Sequence, residues 1–263
     1  MRPWSDRWFE FQAHIRHQLI ARGPHGIHSP FIFDLITHYS KTAPDARLQE
    51  SIRQIHRRIF RDDRWIEKID LGTGSSGKQK INRIAQHSSQ PFKHSIFLAW
   101  LAKHFGCKHI LELGTNLGLT AAALAKINPT AEIISIEGCP QTAEIARQHL
   151  IKSGIENVKV ICSDAGNYLR SHADQLSRFN FVFIDCNHTY SATTEYFKYF
   201  QSSKNSDLTL VIDDIHWSRN MNQAWNSMIE SNAFEVSMDF LHLGILKRRC
   251  GKEKEHFVLK IPG

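Results

Sequence analysis

An α/β fold with a mostly parallel sheet is what this sequence predicts for residues 89–263, behind a helical stretch over residues 1–88. Three observations predict it. From residue 109 short apolar runs alternate with stretches of helical period, the rhythm of strand–helix units. The first run, His109-Ile-Leu-Glu-Leu, gives way to Gly114 and Gly118 immediately before an alanine-rich helical segment. Acids then recur where apolar runs end, at Glu137, Asp164, Asp185, Asp213 and Asp214. Ligands of open parallel sheets gather at those carboxyl ends.

The bulk numbers agree with one domain plus an appendage. The chain has 263 residues, 41% of them hydrophobic and 10% aromatic, as expected of a globular protein. Its five cysteines form no C-x-x-C pair, which suits reduced thiols in a cytoplasmic protein. Arg2, Asp6, Arg7 and Glu10 exclude a signal peptide at the start, and no apolar run approaches the ~20 residues of a membrane span. No membrane partner is expected. The net charge of +7 permits nucleic-acid binding without requiring it. The tightest basic cluster, Lys247-Arg248-Arg249, reads as a solvated hairpin loop.

The N-terminal stretch is justified helix by helix. Trp4, Trp8, Phe11, Ile15 and Leu19 recur at steps of three and four and make one apolar stripe. A patch of that size is expected to pack, as a lid over the substrate or against a second copy of the chain. Gly23-Pro24-His25-Gly26 ends that helix, and Ser29-Pro30 starts the next with Ser as N-cap. A third spans about 45–60, with Leu48, Ile52, Ile55 and Ile59 on one face. Residues 70–77, Asp-Leu-Gly-Thr-Gly-Ser-Ser-Gly, imitate a nucleotide loop. With no buried strand before them they read as an ordinary loop; a loop lying over a cofactor is the alternative. Residues 91–105 form a helix leading into the first strand.

Strands then fall near 109–113, 132–137, 157–162, 179–185 and 207–213. Helices fall near 118–127, 140–153, 166–175, 190–202 and 217–231. The remainder, from Phe234, is strand-like. The first turn carries the most information. Gly114 and Gly118 allow a tight turn and close backbone approach. The helix that follows presents free N–H groups. Glu137, ending the second strand, can accept from both hydroxyls of a ribose. A diphosphate site would need G-x-G-x-x-G. Here the spacing is Glu112-x-Gly114-x-x-x-Gly118.

That segment resembles motif I of the class I S-adenosyl-L-methionine (SAM)-dependent methyltransferases. The resemblance implies a Rossmann-like seven-stranded methyltransferase sheet, mostly parallel with the last strand antiparallel. It implies SAM held by Glu112, Gly114, Asn116, Gly118, Thr120, Glu137, Asp164, Ala165 and Asp185. Within that set Thr120 would meet the methionine carboxylate and Asp164 the adenine amino group. The alternative for Asp164 is a helix N-cap.

The two later acidic strand ends are Phe181-Val-Phe-Ile-Asp185-Cys-Asn-His188 and Leu210-Val-Ile-Asp213-Asp214-Ile-His216-Trp217-Ser218. Three carboxylates cannot all stay ionised in contact without a cation, and hard oxygen ligands suit Mg²⁺ or Ca²⁺. Helix caps and solvated strand ends are the plainer reading. These segments resemble the metal-dependent catechol and caffeoyl-coenzyme A O-methyltransferases and, more closely, a bacterial branch of small-molecule methyltransferases. The resemblance implies Asp185, Asp213 and Asp214 as metal ligands, with Asp214 where the family usually has Asn. A lysine that serves as base in that group is replaced by His188, itself a competent general base or else a structural residue. The implied activity is O-methylation of a small molecule, with Asp185 and His188 as catalytic residues. The alternatives are an RNA or protein methyltransferase, or a SAM-binding protein without catalysis.

Overall fold

A computed structural model describes residues 4–23, 26, 28–70 and 75–261. In chain order the elements are α1 (Trp4–Ile20), α2 (Pro30–Thr42), α3 (Ala46–Phe60), β1 (Trp65–Asp70), β2 (Ser75–Lys80), α4 (Ile81–Ser88), α5 (Phe92–His104), β3 (His109–Leu113), α6 (Leu119–Ile127), β4 (Glu132–Glu137), α7 (Pro140–Lys152), β5 (Val158–Cys162), α8 (Ala165–Ser171), β6 (Phe181–Ile184), α9 (Tyr190–Gln201), β7 (Thr209–Asp213), α10 (Arg219–Glu230), β8 (Val236–Asp239), β9 (Leu243–Lys247) and β10 (Glu255–Val258). The strand–helix alternation expected from residue 109 is present. The chain divides into two compact units, Ala43–Ser171 and a second made of Met1–Thr42 with His172–Gly263. This division departs from the boundary at residue 88.

In the unit Ala43–Ser171, β3 pairs in parallel with β4, and β4 with β5. Ile110 lies opposite Ile133, and Ile133 opposite Val158. Helices α5 and α6 are buried on nearly all sides, which their Ala-rich and apolar sequences permit. Helix α3 starts where Asp45 accepts the Leu48 N–H, and it buries Ile52, Ile55 and Ile59. Residues 65–70 and 75–80, expected as part of a helical region, pair instead as the antiparallel strands β1 and β2. Trp65, Ile66 and Ile69 are aromatic and β-branched residues that suit a strand, and the edge of that strand finds partners outside it. The Glu67 N–H donates to Gln141 Oε1, and the Ile69 N–H to Cys139 Sγ. The strand pair therefore stands beside the β4–α7 corner. Residues 71–74 of the glycine-rich 70–77 segment lie outside the described residues, and Ser75, Ser76 and Gly77 begin β2.

In the other unit the strand order is β10-β8-β9-β7-β6. Strand β6 runs parallel to β7, whereas β9 runs antiparallel to both β7 and β8. The last strand, β10, is parallel to β8, so the antiparallel strand is β9 and the chain does not end on it. Residues 248–254 carry the chain past β8 to its far edge, so β9 and β10 are no hairpin. With three parallel strands in the first unit, the main strands number eight rather than seven among the described residues.

The basic cluster is structural, contrary to the solvated loop expected. Lys247 is buried, with its ammonium on the Asp207 carboxylate. The Arg248 guanidinium donates to the carbonyls of Phe200, Gln201, Ser203 and Asn205, and so closes the C-terminal end of α9. Arg249 stacks on Phe31. Ser29 precedes α2 as expected, but its hydroxyl donates to Glu255 across the unit.

The stripe on α1 is a further correction. Trp4 is 84% exposed and Leu19 81%, and Trp8, Phe11 and Ile15 are exposed as well. The opposite edge seats the helix instead: His17 is buried, and Phe9 lies beneath the Arg219 guanidinium.

Candidate active site

The glycine turn is built from β3 and β4 together. The N–H groups of Gly114 and Thr115 both donate to the Ile136 carbonyl at 2.9 and 3.0 Å. Gly114, Asn116 and Gly118 all take positive φ, at 105°, 49° and 80°. A side chain at Gly118 would be strained there by the positive φ, although its Cβ would meet Ala146 only at ordinary contact distance. The Glu137 carboxylate clamps the turn from the end of β4. Its Oε2 accepts the Asn116 N–H at 2.8 Å, and its Oε1 accepts the Cys139 N–H at 2.9 Å. The Asn116 amide donates to the Ser88 carbonyl, while its Oδ1 is buried with no hydrogen-bond partner among the described residues. An acceptor so placed, beside a half-buried carboxylate, suits an ammonium or hydroxyl donor from a ligand.

The residues expected to hold SAM divide by burial. Glu112 is 0% exposed and accepts from the Ser135 hydroxyl, which also meets that of Thr115. That carboxylate supports the turn from beneath through Oε2, while its Oε1 is buried as well. Thr120 is 6% exposed, with its hydroxyl 3.5 Å from that of Ser95, so it faces α5. Asp164 Oδ1 accepts the Asn167 N–H and starts α8, as a cap would, and Ala165 is buried behind it. The neighbouring Ser163 N–H donates to the Glu137 carbonyl, joining the ends of β4 and β5. Ser135 is the residue that sequence reasoning missed. Its signal was a hydroxyl in the middle of the apolar strand Ile133-Ile-Ser-Ile.

The other unit holds the acids that follow β6 and β7. Asp185 Oδ1 lies 3.5 Å from His188 Nε2. Asn187, at φ 50°, makes the turn between them and donates to the Tyr196 hydroxyl at 2.7 Å. Thr189 then caps α9. Asp213 is buried at the end of β7. One ligand atom from each of Asp185, His188 and Asp213 falls within a 4.8 Å set. Asp214 is not in that set. Its positive φ of 54° turns it away, and its carboxylate lies 3.9 Å from His242 Nδ1. The three-aspartate arrangement expected from the sequence is therefore two aspartates and a histidine.

A second polar network borders β8. His216 Nδ1 lies 2.9 Å from the Asn222 amide nitrogen, and its Nε2 lies 2.7 Å from Asp239 Oδ2. Burial raises the Asp239 pKa, but the His216 hydrogen bond and charge, with the Leu241 N–H, bring it below the ordinary carboxylate range. His17 reaches the same carboxylate, and burial pushes its own pKa down.

Comparison with known proteins now bears on this geometry. Residues 111–215 match the family model described as a methyltransferase domain. The O-methyltransferase imqG of Aspergillus flavus is 30% identical over 147 residues, 54% of this chain and 57% of its own length. A protein-L-isoaspartate O-methyltransferase of Methanospirillum hungatei is 39% identical over 79 residues, 30% of this chain and 35% of that one. The chain thus spans a third to little more than half of these relatives. The SAH-bound methyltransferase PaMTH1 of Podospora anserina superposes with a TM-score of 0.57 at 16% identity, over 85% of this chain and 97% of that one. The matched segment begins inside β3, takes in the glycine turn and Glu137, and ends past Asp213, so residues 111–215 are similar to a methyltransferase domain and the chain has the Rossmann-like fold of that solved methyltransferase.

Proposed function

We propose that the chain transfers a methyl group from SAM to a hydroxyl oxygen of a small molecule. The observation that carries this is the clamped turn, with the buried Asn116 Oδ1 and the Glu137 carboxylate at one strand edge. When bound, SAM supplies an electrophilic sulfonium methyl. Asn116 Oδ1 accepts from its ammonium, and Glu137, whose oxygens keep further lone pairs, accepts from its ribose. The N-terminus of α6, with no side-chain cap, leaves N–H groups for its carboxylate. The O-methyltransferase relative supports an oxygen acceptor. His188 receives the proton that the hydroxyl loses, and Asp185 orients the imidazole.

A divalent ion is the second reading, favoured by the set Asp185, His188 and Asp213. Two carboxylates and an imidazole fit a first-row ion such as Mn²⁺ better than Mg²⁺ or Ca²⁺, which prefer oxygen alone. When bound, such an ion lowers the pKa of a coordinated hydroxyl. His188 then serves as a ligand and cannot also be the base. A protein acceptor is the remaining alternative, motivated by the isoaspartate relative.

Titration calorimetry with SAM, followed by methyl-transfer assays on small phenols, alcohols and peptides with and without EDTA, tests these readings. SAM binding with transfer to a small hydroxyl is expected. No binding, or transfer to peptides alone, would overturn the proposal. Survival of activity in EDTA would remove the metal reading.

A further inference from the structure

We infer that α1 is an interfacial helix by which the chain docks on an anionic lipid surface. The helix is apolar on the wrong side for a core element. Trp4, Trp8, Phe11, Ile15 and Leu19 recur at helical spacing and all face outward. The seat side is the polar one. There His17 is buried against Asp239, and Phe9 meets Arg219 with the guanidinium carbon 5.6 Å from the ring centroid. Just beyond the helix, the Arg22 N–H donates to the Val258 carbonyl. These ties fix which face looks out, so the stripe cannot roll inward to hide.

The charges select the occupant. At about 100° per residue, the exposed stripe is flanked by Arg7 on one side and by Arg16 on the other, and both are exposed. Asp6 and Glu10, the only acids of the helix, are half-buried toward the seat. A self-paired α1 would bring basic and neutral flanks together with no acid to meet them. An anionic bilayer complements the same flanks. The two tryptophans suit its headgroup level and the aliphatic residues its acyl boundary, the pattern of helices that lie in the membrane plane. The net charge of +7 adds to the attraction. No helix among the described residues is long and apolar enough to cross a membrane, so α1 would rest on the surface.

The test is co-sedimentation of the full chain with phosphatidylglycerol–phosphatidylcholine vesicles and with phosphatidylcholine alone, read with tryptophan emission. Binding to the anionic vesicles is expected, with a blue shift, and reversal by high salt. Arg7→Gln with Arg16→Gln leaves the fold and the stripe intact. It should weaken binding about 30-fold, from a factor of about five for each basic residue near an anionic surface. Trp8→Ser with Phe11→Ser should abolish the blue shift while circular dichroism stays unchanged. Three results would overturn the inference: no binding to anionic vesicles, equal binding by the arginine variant, or a dimer in sedimentation velocity that Trp8→Ser disperses. The last would make a second copy the occupant.

Discussion

Removing the Glu137 carboxylate separates its two roles. The side chain accepts the Asn116 N–H at 2.8 Å and the Cys139 N–H at 2.9 Å, one on each oxygen. Hydrogen bonds to a charged group contribute about 1.5–3 kcal/mol each, and partial exposure argues for the lower end. Glu137→Ala should therefore cost about 3 kcal/mol of stability. In a chain of this size that is roughly 6–12 °C in melting temperature. Glu137→Gln keeps one acceptor and should lose about half as much. The ribose contact adds a separate penalty, about 10- to 150-fold in SAM affinity for a charged hydrogen bond of the same strength. Scanning fluorimetry reads the first effect. Titration calorimetry well below the transition reads the second. A variant that melts like the parent would refute the clamp. A destabilised variant with unchanged SAM affinity would keep the clamp and refute the ribose contact.

Four further perturbations follow from the geometry. At Gly244 an added Cβ would sit 2.7 Å from the Trp225 ring and 2.8 Å from Ile215, so Gly244→Ala should destabilise by about 1–3 kcal/mol in urea titrations. Burial, then Arg53, lowers the His56 pKa to about 4, so the unfolded chain takes up a proton at pH 6.5 that the folded chain refuses until pH 4. The stability from neutral His56 is thus complete above pH 6.5 and falls by about 3 kcal/mol as pH drops to 4, and His56→Phe should flatten that slope in urea melts at each pH. Arg248→Ala should uncover four carbonyls at the end of α9 and lower the melting temperature, whereas Arg249→Ala, which loses only a ring contact, should change it less. If Mn²⁺ binds in calorimetry, Asp213→Ala should abolish the binding and Asp214→Ala should spare it; loss in both would restore Asp214 as a ligand.

The sequence by itself determined the alternating elements after residue 109, the glycine turn, and the acids at strand ends. Those are local signals. A strand's apolar run, a glycine that takes positive φ and a cap such as Asp45 or Thr189 act within a few residues. Only the tertiary structure decided what each acid does. Glu112 and Glu137 both lie at motif positions, yet one is buried under Ser135 and the other clamps a backbone turn. Asp213 and Asp214 are adjacent, and one positive φ sends them to different partners. His17 meets Asp239 across 222 residues of chain, a pairing that no spacing encodes. The stripe on α1 reads as core by its period, because period records which residues share a face and says nothing about which way that face points. That direction was set by the seat, through His17, Phe9 and Arg22 meeting residues far along the chain.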